Sequence, residues 1–145
     1  MKKCLLLTLL FAVAPALQAE PTCKAISGDA DNKACIEVKA SFLQCNESSS
    51  TKFLSSCIAT ISYQASTDLT DSNIDLSVGC DVELNYLKSV MGIRDTDQQH
   101  AKQAITLAAN GNEQFEMPII FNFATQTEAS NAAIKAVNCR IDTSQ

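Results

Sequence analysis

Tryptophan is absent from this chain, histidine occurs once, and glycine and proline number only four and three in 145 residues. The glycines stand singly at 28, 79, 92 and 111, so no Gly-rich loop exists to cradle a phosphate, and nucleotide binding has no support. A single imidazole, His100, means that any Ser-His or Cys-His mechanism must run through it. It sits in the polar run Asp97-Gln98-Gln99-His100-Ala101, with no nucleophile elbow and no recognisable partner, and reads as a solvated surface histidine. With no tryptophan, and with Tyr63 and Tyr86 both in apolar phases, the exposed aromatic platforms of a sugar site are missing. No C-x-x-C pair occurs, which removes thioredoxin-like chemistry, c-type haem attachment and the close ligand pairs of a zinc site. No cofactor is implied. No apolar run approaches the ~20 residues that a membrane helix needs.

The longest apolar run, Leu5 to Ala14, is interrupted only by Thr8 and follows Lys2 and Lys3. A basic start, a short apolar core, a break at Pro15 and a small residue at Ala19 form an export signal of bacterial type. Residues 1–19 are therefore expected to be removed after Ala19, leaving 20–145 as one domain in the periplasm or outside the cell. Cys4 comes too early and Cys23 too late for a lipoprotein cysteine, so membrane attachment after cleavage is not expected. Loss of Lys2 and Lys3 leaves nine basic residues against 16 acids, a net charge of −7. Such acidity, with bases scattered singly, argues against nucleic acid or anionic lipid and suits a basic partner.

Six cysteines remain in the mature chain: Cys23, Cys35, Cys45, Cys57, Cys80 and Cys139. An even number behind an export signal reads as a disulfide framework. The favoured pairing of the fifteen possible joins Cys23 to Cys35, Cys45 to Cys57 and Cys80 to Cys139, closing two short loops and tying a long strand to the last one.

Alternation of apolar and polar residues dominates the rest. Ile74, Leu76, Val78, Cys80, Val82, Leu84 and Tyr86 alternate with polar residues over thirteen positions, which only a half-buried strand satisfies; Gly79 marks an expected bend or bulge. Phe115, Met117, Ile119, Phe121 and Phe123 make a second such strand, which Pro118 confines to an edge or a bulge. Ile36, Val38, Ala40 and Phe42 form one face of a third, and Cys57, Ala59, Ile61 and Tyr63 of a fourth. Residues 20–34, rich in turn formers, read as a stapled loop. Within it Asp29-Ala30-Asp31-Asn32 resembles the opening of a calcium loop, but Ala34 and Ala40 stand where that loop needs Gly and Glu, so Asx-turn chemistry is the better reading.

Two segments are ambiguous. Ala101, Ala104, Ile105 and Ala108 follow helical spacing, while Ile105, Leu107 and Ala109 alternate. The preferred reading is a hairpin turning at Asn110-Gly111-Asn112, with a short helix ahead of it as a variant. In the last segment Ile134 and Ala136 lie in one phase and Val137, Cys139 and Ile141 in the other, which predicts a strand bulged near Ala136, or a helix from Glu128. Six to seven antiparallel strands predict an immunoglobulin-like two-sheet sandwich, with α+β as the alternative.

Candidate chemistry is sparse. Asp81 and Glu83 share the polar face of the long strand with Asp75, a solvated surface that discourages edge pairing more readily than an acid and base pair. Candidate interaction loops are Ser48, Ser49, Ser50, Thr51, Lys52 and Phe53, and the stretch Asp95, Thr96, Asp97, Gln98 and His100. The expectation is an exported, non-enzymatic binding module, an inhibitor or immunity-type partner of another exported protein. A small cofactor-independent hydrolase and a structural subunit of a surface or secretion assembly are the alternatives.

Overall fold

The computed structural model describes residues 20–26, 29–88 and 91–142, with side chains described for all of these except 29–31. The expected export signal, 1–19, lies outside the described residues. Seven strands account for about three quarters of what is described: β1 (Thr22–Ile26), β2 (Asp29–Glu47), β3 (Leu54–Thr67), β4 (Ile74–Lys88), β5 (Ile93–Leu107), β6 (Asn112–Asn122) and β7 (Ser130–Asp142). They form a four-stranded sheet, β1-β2-β3-β6, stacked on a three-stranded sheet, β5-β4-β7, and every pairing is antiparallel. The expected sandwich is present, and no α-helix occurs among the described residues. The layering of four strands on three is immunoglobulin-like, while the strand order within each layer is this chain's own.

Apolar alternation drives the stacking. From the four-stranded sheet Ile36, Ala59, Ile61, Tyr63, Met117, Ile119 and Phe121 point inward; from the other come Leu76, Val78, Val82, Leu84, Ile105, Leu107 and Ile141, all buried. A fully buried aliphatic side chain stabilises by about 1.5–3 kcal/mol, so these two faces supply the main cohesion between the layers.

The disulfides do not supply it. Cys23–Cys35, Cys45–Cys57 and Cys80–Cys139, the pairing favoured from the sequence, each join directly opposed residues of neighbouring strands within one sheet. Two of them line the core, while Cys23 is exposed on the outside of the four-stranded sheet.

Several local expectations need correction. Residues 22–26 and 29–34 are not a loop: β1 and the start of β2 pair side by side, and the backbone of 29–32 is extended where the Asx-turn reading wanted a turn. β5 begins at Ile93, directly after the turn at Met91-Gly92, and the helical spacing of Ala101 to Ala108 is overridden by fifteen consecutive pairings with β4. β5 and β6 are joined by the expected turn, but it carries the chain from one sheet to the other and makes no hairpin. That turn is held by Asn110 N–H to Leu69 O (2.7 Å) and Thr67 N–H to Gly111 O (3.0 Å), and a Cβ at Gly111 would lie 2.6 Å from Ala108 O. The bulge near Ala136 is present as a register shift that skips Lys135 and lets Ile134 and Val137 both face inward. Pro118 does lie on an edge strand.

Candidate functional site

The two outward faces of the sandwich differ in chemistry. On the three-stranded sheet the central strand β4 sets Asp81 opposite His100 of β5 and Asn138 of β7, and the next row sets Gly79 between Lys102 and Arg140. Asp81 accepts from Arg140 through one oxygen, and its Oδ1 lies 2.8 Å from His100 Nδ1. Arg140 Nε also donates to Asp142 Oδ1 (3.2 Å), and Lys102 Nζ lies 2.8 Å from Asp142 Oδ2. That second oxygen is shut off from solvent and meets the Lys102 ammonium as an ion pair. The Arg140 guanidinium, and then His100, hold the Asp81 carboxyl below the usual carboxylate range; Lys102 does the same first for Asp142.

Gly79 belongs to this lattice. The ladder is unbroken there, so the glycine makes no bulge, and a Cβ would lie 2.9 Å from Asp142 Oδ2 and 3.1 Å from His100 Cε1. Glycine lets two side chains lie across the backbone of β4. Two expectations change accordingly. His100 is partnered, with 35% of its side chain exposed, and is not a free surface histidine. Asp81 and Glu83 lie on a central strand and are bound by Arg140 and Lys135 (2.7 Å), so they guard no edge. Sequence reasoning misses the Asp81–His100 pair because it sees no turn at Met91-Gly92; folding the chain there, where Gly92 takes φ 67°, places the two residues opposite each other.

The outward face of the four-stranded sheet is different. The register between β2 and β3 shifts between Val38 and Ala40, leaving Lys39 unopposed. This bulge reverses the phase of everything after it. Phe42, expected to point inward, is 64% exposed, and Leu43 and Cys45 turn toward the core instead. Phe42 shares a row with Thr60 and Pro118, and the next row holds Gln44, Ile58 and Ile120, the last 58% exposed. An apolar strip of Phe42, Ile58, Pro118 and Ile120 thus crosses three strands, with Glu116 on the adjoining row. No ionisable side chain stands in these two rows.

Of the candidate loops, residues 48–53 do form the β2–β3 connection, closed by Ser48 N–H to Phe53 O (2.8 Å) and Lys52 N–H to Ser48 O (3.0 Å). Asp95, Thr96, Asp97, Gln98 and His100 are not a loop; they belong to edge strand β5, where pairing with β4 fixes their backbone. The structure does not bring the two groups together: one caps an end of the four-stranded sheet, the other lies along the three-stranded one. A groove of about 180 Å³ beside the half-buried Cys35, lined by Glu37, Gln64, Ser66 and Asn112 among others, is smaller than the roughly 300–1,000 Å³ of ligand pockets. Among the described residues no three His, Cys, Asp or Glu side chains converge as metal ligands, and no helix is long and apolar enough to cross a membrane.

No protein-family model, curated protein or solved structure matches this chain. The three disulfides fit an oxidising, extracytoplasmic setting.

Proposed function

We propose that the mature domain is an exported, non-enzymatic binding module that docks a basic exported protein through the outward face of its four-stranded sheet, in the manner of an inhibitor or immunity-type partner. The observation that carries this reading is the outward-turned Phe42, which with Ile120 makes a contiguous apolar strip on a sheet face that would otherwise be polar. Aromatic and aliphatic anchors of this kind dominate protein interfaces, and a net negative surround favours encounter with a basic target. The test is to immobilise the mature oxidised domain and a Phe42→Ser/Ile120→Ser double variant, and to pass an envelope extract of the source cells over both. A basic protein retained by the first and released by the second supports the reading; equal retention, or none, refutes it.

The Asp81–His100 pair favours a second reading, a cofactor-independent hydrolase. His100 faces Asp81 and is flanked on the same side of β5 by Gln98 and Lys102; none of these is a hydroxyl or thiol that its imidazole could activate, and Lys102 is ion-paired with Asp142, so the first reading is preferred. Loss of a detected hydrolytic activity in both His100→Ala and Asp81→Asn would reverse that preference.

A further inference from the structure

The three disulfides join strands in the same way but stand in different surroundings. Cys57, Cys80 and Cys139 are buried, so Cys45–Cys57 and Cys80–Cys139 each rest on at least one cysteine that an external thiolate does not reach. Cys23–Cys35 has no such cover: Cys23 is exposed, Cys35 is half-buried, and the bond lies on the outward face at the rim of the four-stranded sheet. The groove of about 180 Å³ is walled by Cys35 and Pro21, and it seats a side chain of an approaching protein beside the bond. Exchange proceeds by thiolate attack on a sulfur within reach, and exposed disulfides are the labile and regulatory ones.

The strand that this bond holds has little hold of its own. Thr22 to Ala25 are all exposed and Ile26 is half-buried, so β1 adds almost nothing to the core. Its ladder to β2 has five pairs and shifts register between Ala25 and Ile26. A short ladder without apolar burial is marginal in water, so the disulfide is what keeps β1 in place. β2 does not share this dependence. Its Ala34 and Ile36 are core residues, and thirteen pairings with β3 hold it on the other side.

We infer that Cys23–Cys35 is a thiol–disulfide exchange site for an exported dithiol protein, and that its opening releases β1 and leaves β2 as the edge of the sheet. One thiolate of the dithiol attacks Cys23 Sγ, the Cys23–Cys35 bond breaks, and Cys35 leaves as a thiolate. The second thiolate of the dithiol then attacks its own protein's sulfur in the mixed disulfide and frees Cys23. The domain gains two electrons and two protons, and the dithiol is oxidised to a disulfide. This goes beyond the binding reading and can fail or hold without it, since Phe42 lies in the other half of β2.

The test treats the folded, oxidised domain with a graded series of dithiothreitol, quenches with iodoacetamide and reads each cysteine by peptide mass spectrometry. Cys23 and Cys35 should be alkylated together at least about tenfold faster than the other four mature cysteines. With glutathione, a monothiol, the adduct should be found on Cys23 and the alkyl group on Cys35. In Cys23→Ala/Cys35→Ala, amide hydrogen exchange should lose its protection at 22–26 and keep it in β4. Opening of all three disulfides at one rate, glutathione on Cys35 instead, a β1 as protected as in the parent, or protection lost throughout the variant overturns the inference.

Discussion

Tyr63 donates its phenolic hydrogen to Gln103 Oε1 at 3.1 Å, a side-chain bond that runs from the four-stranded sheet to the three-stranded one. Since every disulfide stays within a sheet, this bond and the apolar core hold the layers together. Tyr63→Phe keeps the ring and its stacking on Phe115, 5.7 Å between centroids, and leaves the half-buried Gln103 oxygen without its donor. The expected cost is about 1 kcal/mol, read as a lower denaturation midpoint with unchanged denaturant slope.

Burial also pushes the Tyr63 hydroxyl from 10.0 up to about 12. The neutral form is the one the fold favours, so its stabilising contribution is complete below the unfolded value of 10.0 and is lost as pH rises toward about 12. Denaturation followed across that window should show stability falling with pH, and the fall should be smaller in Tyr63→Phe.

The disulfides should differ in weight. Cys80–Cys139 spans a sequence separation of 59 and lies in the core, whereas Cys23–Cys35 spans 12 and lies outside. Loop-closure entropy alone gives about 4 kcal/mol for the first and about 3 for the second. Replacing each pair by alanine should therefore lower the melting temperature further for Cys80/Cys139, with the lost packing of two buried sulfurs widening the gap.

On the charged face, Arg140 and His100 hold the Asp81 carboxyl below its ordinary 3.8. A depressed carboxyl contributes stability above its unfolded value that is lost as pH falls through the folded one, so this contribution disappears below about pH 3.8. Acid denaturation followed by circular dichroism should show a shallower decline below that pH in Asp81→Asn than in the parent domain.

How much of this is legible in the sequence depends on whether the signal is local. The β4 alternation from Ile74 to Tyr86 specifies a strand and a buried face, because seven matches to a period of two admit no other regular structure. Phe42 is misplaced by alternation alone because one extra residue, Lys39, reverses the phase, and the sequence carries no mark of the bulge. The β5–β6 connection reads as a hairpin because Asn110-Gly111 is a hairpin turn by composition, whereas the partners of each strand lie forty or more positions away for β6 and across the Met91-Gly92 turn for β5. The charged lattice joins residues of β4, β5 and β7, so register, not spacing, creates it.

The outward apolar strip should be nearly silent in stability. Phe42 and Ile120 bury little in the free domain, so Phe42→Ser/Ile120→Ser should change the unfolding free energy by less than about 1 kcal/mol while removing partner binding. A larger loss would mean that these side chains are structural.

Hydroxyl-radical footprinting read by mass spectrometry tests the docking face most directly. In the purified domain Phe42 should be oxidised, as should Met91, which is 80% exposed, while Met117, 2% exposed, is spared. Addition of the retained basic protein should protect Phe42 and leave Met91 reactive. Protection of Phe42 in the purified monomer, or unchanged oxidation of Phe42 in the complex, would contradict the account.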